Sequence, residues 1–221
     1  MKIIAKIHND FKEKFGIPRQ SGRVPELISR IVFEPEYRVR EALRGIEGYS
    51  HLWLIWQFSE VSRDTWSPTV RPPRLGGNRR MGVFATRSPY RPNPIGLSSV
   101  RLIGIENDKE CGPVLIISGA DLLDGTPIYD IKPYLAYTDS HPEATGGFAD
   151  PVRDYSLKVD FPEMLLSKIP EEKREGLKKL LADDPRPSYQ DDPEREYGMV
   201  FSDYEIFFKV SGGVLTVTGV K

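Results

Sequence analysis

Short apolar runs cut at close intervals by glycine and proline restrict the fold of this chain more than any other feature. Nineteen Gly and nineteen Pro fall among its 221 residues, a punctuation that suits strands joined by turns better than a helix bundle. The pattern predicts strands at residues 3–8, 27–33, 49–58, 81–86, 95–105, 114–119 and 128–134. The run Leu52-Trp53-Leu54-Ile55-Trp56 is apolar without alternation, as expected of a strand covered on both faces. A short helix is expected over 36–44, with Pro35 at its start and Gly45 at its stop.

Past Ser140 the sequence turns polar and charged. A helix is expected over 171–182, where Leu177, Leu180 and Leu181 make an apolar stripe, although Gly176 weakens it. Strands follow at 204–210 and 214–220. The class is mainly β, or α+β. A β-rich N-terminal domain spans 1–140, a linker 141–153, and a small α+β C-terminal domain 154–221.

Charge is nearly balanced, at a formal net of -1. Any nucleic-acid contact must therefore be local instead of spread over the surface. Cys111 is the only cysteine, which excludes an internal disulfide, and His8, His51 and His141 lack a local metal-binding spacing, so no metal is expected. The N-terminus has no signal-peptide pattern and no segment is long enough to span a membrane, which makes the cytoplasm the expected compartment.

From Thr65 to Ile105 there is no acid and no lysine, yet Arg71, Arg74, Arg79, Arg80, Arg87, Arg91 and Arg101 all occur there. Guanidinium groups present a planar fork to phosphate or carboxylate and stack on bases. Trp66, Phe84 and Tyr90 add stacking surfaces. A solvated basic face is the plain alternative, but an acid-free tract laced with Pro and Gly favours a loop system facing a polyanion. The stretch Asp121-Leu122-Leu123-Asp124-Gly125-Thr126-Pro127 has the opposite sign. It reads either as an Asp-Gly turn or as a site for hydroxyls, amines or a metal. His51 fits a hydrogen-bonded structural role, and no nucleophile elbow, dinucleotide fingerprint or P-loop is present.

Several ordered motifs resemble the TrmO (TsaA-like) family: Pro18-Arg19-Gln20, Arg44-Gly45-Ile46-Glu47-Gly48, Arg71-Pro72-Pro73-Arg74-Leu75-Gly76-Gly77-Asn78, Gly82-Val83-Phe84-Ala85-Thr86-Arg87-Ser88, Arg91-Pro92-Asn93-Pro94-Ile95-Gly96 and the Asp121 stretch running on to Tyr134. Asp184-Pro185-Arg186-Pro187-Ser188-Tyr189 resembles the C-terminal domain of its longer members. The resemblance implies a single-sheet β-barrel that holds S-adenosylmethionine and methylates N6 of N6-threonylcarbamoyladenosine beside the tRNA anticodon. It also implies a homodimer with the cofactor near the subunit interface. By that analogy the cofactor meets Gln20, Ser21, Gly22, Ser59, Glu60, Arg87, Leu97, Ser118, Gly119, Ala120 and Asp121. Candidate bases for the poorly nucleophilic, urea-like nitrogen are Asp124, Asp130 and Tyr134. Arg71, Arg74, Asn78, Arg79, Arg91, Asn93 and Lys132 are the candidates for holding the tRNA, an arginine fork gripping the substrate's threonine carboxylate. In the C-terminal domain Arg186 and Tyr189 are expected to approach the site, with Asp183, Asp184, Asp191 and Asp192 turned to solvent. Two alternatives stand beside this reading: a barrel that binds tRNA or a nucleotide without chemistry, and a methyltransferase with another acceptor.

Overall fold

The computed structural model describes residues 1–60, 65–72, 79–186 and 192–221. Six strands carry the N-terminal half: β1 (Ala5–His8), β2 (Ile28–Phe33), β3 (His51–Gln57), β6 (Ile95–Asp108), β7 (Gly112–Ser118) and β8 (Pro127–Pro133), with β4 (Thr69–Val70) and β5 (Met81–Gly82) forming a small separate ribbon. The six pair in the order β1-β2-β7-β6-β3-β8 and β1 returns to β8, closing the sheet. Closure leaves no free edge, and alternate residues on each strand point inward. Ile7, Ile31, Leu52, Leu54, Leu115, Ile117 and Ile128 fill the interior and are fully buried.

β3 corrects one expectation. Its burial alternates: Leu52, Leu54 and Trp56 are buried, while Trp53 and Ile55 lie half covered on the outer face. Trp53 is sheltered there by Tyr134, 5.4 Å away between ring centroids, and its Nε1 donates to Asp139 Oδ2 at 2.9 Å in the short helix α1 (Ala136–Asp139). An outward apolar side chain with a local cover reads in sequence like an inward one.

Two further elements differ from expectation. Residues 36–44 form two separate 3-10 turns, Pro35–Tyr37 and Arg40–Leu43, with Val39 extended between them. Only Leu43 in these turns is buried, which is too little apolar face to hold a continuous helix. Within 81–86 only Met81–Gly82 pairs as strand, and Val83–Ala85 turns as 3-10, because the partner β4 is itself two residues long.

The C-terminal sheet runs β10-β11-β12-β9, from β9 (Lys158–Asp160), β10 (Tyr197–Phe201), β11 (Tyr204–Ser211) and β12 (Val214–Val220). The helices are α2 (Glu163–Leu166) and α3 (Glu171–Ala182), the latter burying Leu177, Leu180 and Leu181. This second core is not built from the C-terminal residues alone. Phe11, Val24 and Leu27 are buried within it, and Phe15 and Ile17 pack against it. Gly176 owes its place to this docking, since a Cβ there would collide with the Leu27 side chain. The β1–β2 connection therefore belongs to both halves.

Candidate active site

Because neighbouring strands run antiparallel, the connections 9–27, 58–94 and 119–126 all emerge at one rim of the closed sheet. Three segments far apart in sequence meet there. Gly119, at φ 75°, leaves β7 so close to the first connection that a Cβ would stand 3.1 Å from Gly22 Cα. The Gly22 amide donates to the Gly119 carbonyl at 2.8 Å, and Arg87 donates from the third segment to Gln20 Oε1.

Beneath this crossing lies a short hydrogen-bond chain. Trp56 Nε1 donates to Ser98 Oγ at 3.0 Å, and Ser98 Oγ donates to Asp121 Oδ1 at 2.6 Å. Burial pushes the Asp121 carboxyl above its ordinary value of 3.8, against the opposing pull of the Ser98 hydroxyl, the Ser21 amide and the Arg87 charge. Asp121 forms part of the wall of a cleft of about 290 Å³, with Trp56, Phe58, Ile17, Leu123 and Tyr90 as its larger apolar and aromatic lining. That volume lies near the lower bound of about 300 Å³ for small-molecule sites, and apolar walls with a few convergent polar groups are their usual make-up. Ser59 and Glu60 form part of the same wall, and Lys14 Nζ holds the Glu60 carbonyl at 2.7 Å.

Gln20, Ser21, Gly22, Arg87, Gly119 and Asp121 thus come together, with Ser118 and Ala120 buried in the same turn. Leu97 does not join them. It points outward from β6 opposite Ile55, 57% exposed. Sequence reasoning missed Trp56 and Ser98, 42 residues apart; the readable hint was Gly96, whose missing side chain makes room for the Trp56 ring.

The three candidate bases do not converge. Asp124 accepts from the Asn9 amide at 3.0 Å and from Lys12 Nζ at 2.8 Å. Burial raises its pKa, but those two bonds together with the nearby Lys12 and His8 charges outweigh burial and leave it below its ordinary value. Asp130 sits on the outer face opposite Ile55, taking the Ile131 amide at 2.9 Å and pairing with Lys132 at 3.3 Å. Tyr134 lies past the other end of β8, beside Trp53 and His51.

Among the tRNA candidates, Arg74 and Asn78 lie outside the described residues. Arg71, Arg79 and Asn93 are exposed. Arg91 Nη1 donates to the carbonyls of Thr86 and Ser88, both at 3.1 Å, and so shapes its own loop. On that loop Trp66 and Phe84 stack at 6.2 Å with an interplanar angle of 22°, and are 49% and 72% exposed. Asp183 and Asp184 correct another expectation. Both are buried, Asp183 against Arg23 and Asp184 against Arg186; Tyr189 and Asp191 lie outside the described residues.

A mostly β chain with its cleft at one rim and a docked C-terminal α+β unit defines the class of protein. Residues 6–140 match the model of the tRNA-methyltransferase O N-terminal domain, and residues 154–221 match that of the TrmO C-terminal domain. The chain belongs to the TrmO family of tRNA methyltransferases. It is similar to the Escherichia coli (strain K12) tRNA (adenine(37)-N6)-methyltransferase, 40% identical over 94% of this chain and 92% of that one. It is 42% identical, over 92% of this chain and 89% of the other, to a Pseudomonas aeruginosa protein whose name provisionally makes it an S-adenosylmethionine-dependent methyltransferase. A crystal structure of TrmO from Pseudomonas aeruginosa superposes with a TM-score of 0.79 at 34% identity, covering 99% of this chain and 97% of that one. Among the described residues no helix is long and apolar enough to cross a membrane.

Proposed function

We propose that this chain uses S-adenosylmethionine to methylate N6 of N6-threonylcarbamoyladenosine at tRNA position 37, working in the cytoplasm as a homodimer. The observation that carries this reading is the Asp121 carboxylate, enclosed at the Gly22–Gly119 crossing and bonded to Ser98 at the head of an aromatic cleft. The donor set fits the cofactor. Asp121 supplies a counter-charge for a cation, Ser59 and Glu60 line the same cleft, and Trp56 and Phe58 supply apolar walls.

S-adenosylmethionine supplies, when bound, a methyl group on a positively charged sulfur, ready for in-line displacement. The residues of this chain have the task of alignment, from which well-oriented sites draw about 7–11 kcal/mol of barrier reduction. The Trp56–Ser98–Asp121 chain keeps the carboxylate in one orientation. The base candidates Asp124, Asp130 and Tyr134 remain proposals, as does a division into units 1–140 and 154–221 joined by 141–153.

Incubating the protein with tRNA and methyl-labelled cofactor, then separating the nucleosides by mass spectrometry, tests the reaction. Label on N6-threonylcarbamoyladenosine is the expected result. Label on another nucleoside would change the acceptor, and tight binding of both partners without transfer would leave a binding module.

The exposed Trp66–Phe84 pair, in the same connection as Arg71, Arg79 and Arg87, fits an unpaired base of the anticodon loop. Alanine at either position is expected to weaken tRNA binding by about 5- to 150-fold, from ~1–3 kcal/mol per stacked base. Cofactor affinity should be unchanged. Filter binding at fixed salt checks this, and undiminished tRNA affinity would remove the pair from the RNA surface.

A further inference from the structure

Gln20, Ser21 and Gly22 sit between two arginines, and both of those arginines bond to the C-terminal unit. Arg19 Nη2 donates to the carbonyls of Asp184, at 2.6 Å, and Arg186, at 2.5 Å. Arg23 donates from Nε, at 2.9 Å, and Nη2, at 2.5 Å, to Asp183 Oδ1. Directly after it, Val24 and Leu27 are buried in the C-terminal core. The loop is therefore slung between two anchor points on the C-terminal unit, while Gln20, Ser21 and Gly22 between them meet Arg87, Asp121 and Gly119 at the rim of the closed sheet.

The receiving turn is well built for the purpose. Asp183, Asp184 and Arg186 are 7%, 6% and 7% exposed. Asp184 takes a fork from Arg186 at 2.9 and 3.0 Å and the Tyr155 hydroxyl at 3.0 Å. It also holds φ at 52°, a conformation that a non-glycine residue keeps only when its surroundings over-determine it. That conformation presents the carbonyls of Asp184 and Arg186 to Arg19. Charges buried this deeply are tolerated only when paired, so the turn and the two arginines order one another.

We infer that the C-terminal unit is the positioning element of the cofactor site, with Asp183 and Asp184 as positioning residues that hold the 20–22 loop against Gly119 and Asp121. The inference rests on the reading of that loop as cofactor-binding. It makes cofactor affinity and the order of the 183–186 turn reciprocal: whatever tightens one tightens the other.

Asp183→Asn and Arg19→Gln, made in the full chain, test it from opposite ends of the loop. Each is expected to raise the dissociation constant of S-adenosylmethionine by about 5- to 150-fold, the usual span of coupling between sites. Turnover at saturating cofactor should stay within about twofold of the parent, and tRNA affinity should not move. A loss of fold alone would lower turnover and tRNA binding together. Hydrogen exchange on the unaltered protein supplies a readout that needs no variant. Adding S-adenosylmethionine should slow exchange at residues 20–22 and also at 183–186. Protection at 20–22 with none at 183–186, or variants with parental cofactor affinity, would overturn the inference. If the unaltered protein binds no S-adenosylmethionine at all, the cofactor reading falls instead.

Discussion

Replacing Gly96 with alanine is expected to lower both stability and turnover, because a Cβ at that position would overlap the Trp56 indole. Gly96 pairs directly with Trp56 across β3 and β6. The ring cannot swing clear, being 6% exposed and packed against Phe58 at 4.3 Å between centroids. Over-packing of this kind costs roughly 1–3 kcal/mol, or a fall in melting temperature of about 2–12 °C for a chain of this size. The functional loss should be larger in proportion. A ring displaced by about 1 Å would withdraw Nε1 from Ser98 and so release Asp121, and misplacement on that scale costs about 10²-fold in turnover. Thermal melting and methyl transfer, measured on the same preparation, check both parts. A variant with parental melting and parental turnover would show that the Trp56–Ser98–Asp121 chain has no part in the site.

Asp121→Asn should separate stability from function. The amide oxygen still accepts from Ser98, so the fold should survive. The parent carboxyl has a folded-state pKa raised above 3.8, chiefly by burial. The folded protein then holds this proton to higher pH than the unfolded chain does. Its stabilising contribution is complete below pH 3.8 and is lost as pH rises through the raised value. At neutral pH the parent carries an ionised, largely enclosed carboxylate, and the asparagine variant does not. Its melting temperature there is expected to equal or exceed that of the parent.

Cofactor binding should go the other way. A charge-assisted hydrogen bond is worth about 1.5–3 kcal/mol, so binding of the positively charged cofactor should weaken about 10- to 150-fold. In the parent that affinity should also fall as the pH drops through the raised pKa of Asp121, and the variant should show no such step. Calorimetry across pH with both proteins is the measurement. Equal affinities with equal pH dependence would remove Asp121 as the counter-charge.

Elements bounded by strong local signals were legible before any coordinates. Pro170 precedes α3, and Gly212 and Gly213 precede β12; both elements span the residues expected of them. The clustering of Gln20, Ser21, Gly22, Arg87 and Asp121 was legible only through the family resemblance. Nothing in their spacing predicts it, since the Gly22–Gly119 and Arg87–Gln20 contacts join segments whose separation carries no local trace. Neither the bonds that Arg91 makes within its own loop nor the burial of Asp183 could be read from the residue alone. A guanidinium that grips phosphate and one that ties down its own loop are the same residue in sequence, and so are an exposed acid and one buried against Arg23.

Outside 36–44 and 81–86, the sequence by itself determined where most strands and turns of this chain fall, because glycine, proline and apolar alternation act within a few residues of where they stand. Only the tertiary structure decided which side chains form the cleft and that Phe11, Val24 and Leu27 lie in the C-terminal core. Those outcomes depend on strand register and on desolvated hydrogen bonds between distant segments, whose free energy exists only once the closed sheet and the docked C-terminal unit have excluded water.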